Sequence, residues 1–320
     1  MMRAQVVIAL GLGSLPVMSA QMPDAPAVSL PSLTNPAGVS TSIENAHELM
    51  ARDSFQKAEA VLRDYLATDP HSAAAHKLLA YCLLRQNRPT EALAEYTLAA
   101  KSERPTGEDL KNVAQAYTLL GDDADAVKWG SRAVELDPNN PDAWYSLGRI
   151  HYTGQRFDAA AACFRKTLTL VPKSVKAENN LGLALEGLNR SDEAIAAYRQ
   201  AIEWGDADGQ VTGMEQPLLN LSIVLLHRGE FDQALPLLKR AVSIAPKDPK
   251  IHEQLGHLYL QQDDLAEAEG EFEQSLSLDP ANAALHFLLG QTYRRQGLSQ
   301  KAQQEFARAA AMMGTHSGQP

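Results

Sequence analysis

Eight alanines set the frame of this chain. Ala58, Ala92, Ala126, Ala160, Ala194, Ala234, Ala268 and Ala302 follow one another at steps of 34, 34, 34, 34, 40, 34 and 34 residues. Twelve positions before each stands a small residue: Ala46, Ala80, Ala114, Gly148, Gly182, Ser222, Gly256 and Gly290. Four positions after each stands Leu62, Tyr96, Gly130, Phe164, Tyr198, Leu238, Phe272 or Phe306, large in every case but Gly130. Proline recurs twelve positions after five of the alanines, at Pro70, Pro138, Pro172, Pro246 and Pro280. A period of this length marks one supersecondary unit copied along the chain.

The stretch 144–172 shows what the unit is. Trp144, Leu147 and His151 share one helical face with Gly148, and Ala160, Phe164 and Thr167 share another. Gly154 is expected to break the chain between the two helices, and Pro172 to end the second. The positions twelve apart must be small because a bulky group there would hold the helices apart, at about 1–3 kcal/mol for such overpacking. Phe164 is then expected to fill the gap toward the next unit.

With Trp, Leu-Gly, Tyr, Ala, Phe and Pro at these places, the chain resembles the tetratricopeptide repeat family. The resemblance implies an all-α, right-handed superhelical solenoid of eight helix–turn–helix units. Their expected limits are near 39–72, 73–106, 107–140, 141–174, 175–208, 215–248, 249–282 and 283–316. Residues 209–214 are the six extra ones behind the step of 40. In such an array each unit leans on its neighbours to bury what it cannot bury alone. Thr41-Ser-Ile-Glu44 reads as a capping box before the first helix.

Before the repeats, residues 1–20 read as a secretory signal peptide. Arg3 supplies the positive start, Ala4 to Val17 the apolar run, and Ser19 and Ala20 the cleavage site. The run is about 14 residues, short of the roughly 20 a spanning helix needs. The expectation is an extracytoplasmic protein, periplasmic or secreted, with no membrane insertion after cleavage; a retained anchor is the alternative. Residues 21–38, with Pro23, Pro26, Pro31 and Pro36, read as an extended linker.

Net charge of −10 argues against a nucleic-acid partner, since phosphate binding needs a basic face. Cys82 and Cys163 lie two units apart at different repeat places, so no bridge is expected. His252 and His257 are five apart, not the four that would turn both to one side of a zinc-binding helix. His252, like His76 and His286, falls to packing, since all three hold the repeat place of Trp144. Asp206-Ala-Asp208-Gly209 does not satisfy a calcium loop, and Trp129 and Trp204 read as packing. No nucleophile or general base stands out, no cofactor motif occurs, and the chain reads as a non-enzyme.

Function is therefore sought on the concave face lined by the first helices. Two residues before the small position lie Leu78, Asn112, Ser146, Asn180, Asn220, Gln254 and Leu288. Amides offer donor and acceptor together, and the row of Asn112, Asn180, Asn220 and Gln254 resembles the asparagine ladder by which some family members hold an extended peptide. The alternative is that these amides bridge neighbouring helices. Lys111, Arg149 and Lys176 share the surface. Lys111 and Lys176 match two places of the family's clamp for a C-terminal carboxylate, while Gln115, Ser146 and Asn180 depart from it.

The reading is an exported scaffold binding a protein or extended peptide on its concave face. The rival is a structural subunit of a cell-envelope assembly (secretion, pilus or outer-membrane machinery) held by a permanent interface. The last helix should leave Phe306, Ala310 and Met313 partly uncovered. A monomer is expected, with a dimer through that end as the alternative.

Overall fold

The computed structural model describes residues 41–316, with side chains to 313. The proposed leader and linker lie outside them. The described residues form sixteen helices and no strand. They pair as α1 (Thr41–Ala51) with α2 (Phe55–Thr68), α3 (Ala73–Arg85) with α4 (Pro89–Ser102), α5 (Gly107–Leu119) with α6 (Asp123–Leu136), and α7 (Pro141–Thr153) with α8 (Phe157–Leu170). The series continues with α9 (Val175–Gly187) and α10 (Ser191–Ala207), α11 (Glu215–His227) and α12 (Phe231–Ile244), α13 (Pro249–Gln261) and α14 (Leu265–Leu278), and α15 (Ala283–Arg295) and α16 (Ser299–His316). Each second helix packs on the first helix of the following pair. First helices also touch one another, from α1 with α3 through α11 with α13. The first helices therefore form the inner layer.

The turn inside each pair is made one residue later than the sequence suggests. Gly154 has φ −81°, and the left-handed residue is Gln155 at φ 56°. The same place is left-handed in every pair: Asp53, Asn87, Gly121, Asn189, Gly229, Asp263 and Gln155's last counterpart, Gly297. Asn, Asp and Gly tolerate that region better than other residues, so the turn's signature is spread over three residue types. Between pairs, side-chain caps take over. Ser72, Asn140, Asp248 and Asn282 accept backbone N–H groups at the starts of first helices, and Asp122 does so inside a pair, at the start of α6. A reciprocal capping box joins Thr106 and Asp109. Thr41, expected to cap, is already helical in α1.

Phe164 is fully buried in the apolar cluster that continues into the next unit, and it also lies against the small position of its own unit. A Cβ added to Gly148 would stand 2.7 Å from the Phe164 ring, in the same pair of helices. Gly256 meets Phe272 at 2.5 Å and Gly290 meets Phe306 at 2.7 Å in the same way, and Gly182 lies still closer to Tyr198. Where the large residue is Leu62 or Leu238, the small partner is Ala46 or Ser222, both fully buried. Gly130 is the exception that closes from outside: a Cβ there would meet Leu147 of the next unit at 3.1 Å.

The six-residue insertion is absorbed at one end of one helix. α10 runs on to Ala207, so Asp206 is helical and pairs with Arg240 rather than lying in a loop. Gly209 and Gly213, both left-handed, turn the chain back. Met214 is then buried against Gly205.

The histidines are more than packing. His76 Nδ1 lies 2.6 Å from Glu95 Oε2 while its Nε2 lies 3.1 Å from the Pro70 carbonyl. His252 repeats this with Glu271 and Pro246, and His286 with Glu305 and Pro280. Each ring ties the preceding turn, its own helix and the second helix of its unit. Trp144 makes the corresponding bond, donating Nε1–H to the Pro138 carbonyl at 2.9 Å. At the last helix Phe306 is half-buried, and Ala310 and Met313 are exposed.

Candidate binding surface

The inner layer brings two repeat places together that the sequence keeps apart by one full unit. The residue three before the small position of one unit faces the residue two before the small position of the next. Thus the Asn180 amide donates to the Tyr145 hydroxyl at 2.7 Å, and the Asn220 amide donates to Asn179 Oδ1 at 2.9 Å. A longer 3.4 Å contact from Asn179 Nδ2 to Asn180 Oδ1 joins the two bonds into one relay across α7, α9 and α11. At the first junction, Ile43 and Leu78 hold the same places and are both buried in one apolar cluster.

The amide row is consequently part of the helix–helix seam. Asn112, Asn180 and Asn220 are buried, as is Lys111, whose Nζ lies 2.7 Å from Glu108 Oε1. The expectation that these four stand free on an open surface does not hold, because each lies between neighbouring first helices. Asn112 sits beside Tyr96; its Oδ1 and the Tyr96 hydroxyl are both buried without a partner among the described residues. Burial pushes the Tyr96 and Tyr145 hydroxyls above their ordinary range.

The remaining candidates are more open. Arg149 is half-buried one turn after Tyr145 and lowers its hydroxyl's ionisation range through space. Lys176 is exposed, its Nζ 4.9 Å from the Tyr145 ring centre and 3.8 Å from the Asp142 carboxylate. Lys176 therefore covers the Tyr145 ring from across the α7–α9 junction, while Arg149 acts on its hydroxyl through space. Gln254 is half-buried two junctions further on, in α13. Lys111 and Asn112 lie apart from both groups, in α5. Sequence reasoning missed Tyr145 and Asn179, which complete the relay. Their signal was available one residue before the row that was read, as polar residues at a place that packs against the next unit.

Two other side chains mark the inner face. Glu253 and His257, one turn apart on α13, lie 3.9 Å from carboxylate to Nε2. Burial pushes the Glu253 carboxyl up and the His257 imidazole down, the latter with help from nearby His227. No group of three potential metal ligands occurs among the described residues.

Comparison with known proteins agrees with this geometry. A tetratricopeptide repeat profile matches residues 43–108, 145–210 and 253–318, together more than half of the chain, and two further repeat profiles match 225–274 and 114–154. The chain belongs to the tetratricopeptide repeat family. It is a right-handed superhelical solenoid of that class. Among sequence relatives, anaphase-promoting complex subunit 3 of Schizosaccharomyces pombe is 25% identical over 203 residues, covering 61% of this chain and 29% of that protein. The peroxisomal targeting signal receptor of Saccharomyces cerevisiae is 27% identical over 150 residues, 44% of this chain and 24% of that one. The chain thus spans less than a third of these relatives. Among solved structures, PilW, a type IV pilus biogenesis factor, superposes with TM-score 0.58 at 26% identity, over 64% of this chain and 92% of that one. A tetratricopeptide repeat protein from Parabacteroides merdae gives TM-score 0.61 at 20% identity over 78% and 97%.

Proposed function

We propose that this chain is an extracytoplasmic scaffold that holds a protein or an extended peptide along its concave face. The observation that supports this most is the division of labour on the inner layer. A buried polar relay fixes neighbouring helices, while Arg149, Lys176 and Gln254 remain at its surface. In this reading those three touch the ligand, and Lys111, Asn112, Asn180 and Asn220 hold the helices that present them. Arg149 and Lys176, both near Tyr145, would favour an acidic stretch of the ligand, as Coulomb attraction in a partly enclosed groove exceeds that in open water.

A photo-reactive amino acid at Gln115 or Gln254, both on first helices, should cross-link the same polypeptide. One placed at exposed Leu98, on a second helix, should not. Cross-linking confined to the Leu98 position would remove the concave-face reading. For export, N-terminal sequencing of the mature protein should begin near Ala20 or Gln21; a soluble product starting at Met1 would refute it. Among the described residues no helix is long and apolar enough to cross a membrane.

The likeness to PilW favours a second reading, a permanent subunit of an envelope assembly. That reading requires one partner at fixed stoichiometry through every purification step, where a peptide carrier would show exchange.

A further inference from the structure

His76, His252 and His286 each stand between two acceptors. Nδ1 lies 2.6 to 2.7 Å from a glutamate oxygen, and Nε2 lies 3.0 to 3.4 Å from a backbone carbonyl. A carbonyl only accepts, and so does an ionised carboxylate. A neutral imidazole has one N–H and one lone pair, so it makes one of these bonds and not both. Making both takes one more proton, on the ring or on the carboxyl group. Without it a lone pair faces a lone pair, and one side of the tie opens.

The pairs are shielded: the His76 and His286 side chains are 8% and 9% exposed, and their glutamates 15% and 8%. Solvent therefore replaces an opened bond poorly. The charges around the three rings differ. Beside His286, Glu273 of α14 and Lys301 and Arg308 of α16 line one cavity with Tyr293. There Tyr293 donates to Glu273, Arg308 reaches Glu305, and Lys301 lies 3.3 Å from Glu269. The same repeat places hold Arg63 and Glu91 near His76, 3.7 Å apart, and Lys239, Tyr259 and Glu267 near His252. Lys77, next to His76, is held by Glu103 and Asp109. In the preceding turns Asp69 adjoins Pro70 and Asp279 adjoins Pro280. These surroundings share no common sign, whereas the ring between two acceptors recurs in all three.

Each tie joins the turn between two units to both helices of the later one, so it sets how a unit sits on its predecessor. The third to sixth units hold no such pair: their residues at the two places are Leu110 with Trp129, Trp144 with Cys163, Glu178 with Ala197, and Leu218 with Leu237. Trp144 keeps the carbonyl bond through an indole N–H that does not titrate. We propose that His76, His252 and His286 form a pH-sensitive lock. Protonated, they fix the second, seventh and eighth units to the units before them; deprotonation slackens those junctions and leaves the third to sixth units as they are. The closed tie binds a proton that the opened one lacks, so its contribution is present at lower pH and is lost as pH rises.

Two measurements on the full chain test it. Proton–nitrogen NMR of the imidazoles counts the hydrogens held by each ring. At about pH 6 each of the three should show one on Nε2 and one between Nδ1 and the carboxylate, and by about pH 9 one of the two should be gone. The same count at both pH values, whether one or two, overturns the lock. The second measurement is backbone hydrogen exchange by mass spectrometry, with the chemical pH dependence divided out. It is read on the second and eighth units, because His257 in the seventh is pushed down by burial and responds to pH in the opposite sense. Protection in α3–α4 and α15–α16 should fall about 10-fold or more between those pH values, the scale of one charge-assisted bond, while α5–α8 hold theirs. In His286→Gln, whose amide keeps an N–H for Pro280 and does not titrate, the eighth unit should lose this response and the second should keep it. A uniform change along the wild-type chain, or an eighth unit that still responds in the variant, overturns the proposal. If that variant does not fold, the two wild-type readings decide.

Discussion

The Asn220 side chain donates to Asn179 at 2.9 Å across the one junction where the chain carries six extra residues. Its partners are 41 positions apart, while Tyr145 and Asn180 make the preceding bond of the relay at a separation of 35. The difference equals the insertion. The seam therefore keeps its register because the extra residues go into the end of α10 and the turn after it.

Breaking the relay should lower stability before it affects any ligand. Asn179→Ala removes the acceptor for Asn220 and the donor to Asn180, leaving buried amides unmade, at about 1–3 kcal/mol. Asn179→Leu with Asn220→Leu should recover much of that loss, since the first junction already works with Ile43 and Leu78. Urea unfolding of the single and double variants checks both; an unchanged midpoint for Asn179→Ala would show that the relay carries no stability.

The glycine–aromatic pairs should respond as coupled units. Gly182→Ala places a methyl against the Tyr198 ring, an overpacking expected to lose about 1–3 kcal/mol. Adding Tyr198→Leu should restore part of it, because Ala46 with Leu62 and Ser222 with Leu238 are that combination elsewhere in the chain. A thermal-melting double-mutant cycle reads the coupling, and simple additivity would contradict the packing described.

Glu186 should make the fold more comfortable in mild acid. Burial pushes its carboxyl above the ordinary range, against the opposing effect of the Tyr198 hydroxyl, which donates to it at 2.5 Å. A folded-state value above the unfolded one means the contribution is fully present below the unfolded pKa and is lost as pH rises through the folded pKa. Glu186→Gln should therefore melt higher than the wild type at pH 7, and the gap should close as pH falls toward 4. A pH-independent gap would rule this origin out.

Both thiols should be inert in the native chain. Burial pushes Cys82 up to about 12 and Cys163 up to about 11, so little thiolate exists at pH 8. Ellman's reagent at pH 8 should label neither within minutes and both after unfolding in guanidinium. Rapid native labelling of either would mean that its helix opens readily.

Much of the architecture could be read from residue spacing because packing in a solenoid is local. Ala160 touches its own unit and its neighbours, so the constraint on it recurs every 34 residues and becomes visible as a pattern. The turn was harder: its left-handed place is filled by Asp53, Asn87, Gly121 or Gln155, and a backbone requirement met by several residue types leaves no single letter to follow. His252 was placed correctly in the frame, but its bond to Glu271 runs nineteen positions ahead, to the second helix, where only folded geometry shows the partner.

The sequence by itself determined the unit, its helical pairs and the places that must stay small, because those depend on short-range periodicity and side-chain volume. Tertiary structure alone decided which polar residues of the inner helices are consumed and which are left. Asn180 and Glu253 look equally available along the chain. Asn180 meets the Tyr145 hydroxyl of the preceding unit, whereas Glu253 has His257 of its own helix at 3.9 Å, and that difference lies in how neighbouring helices approach, which no single helix encodes.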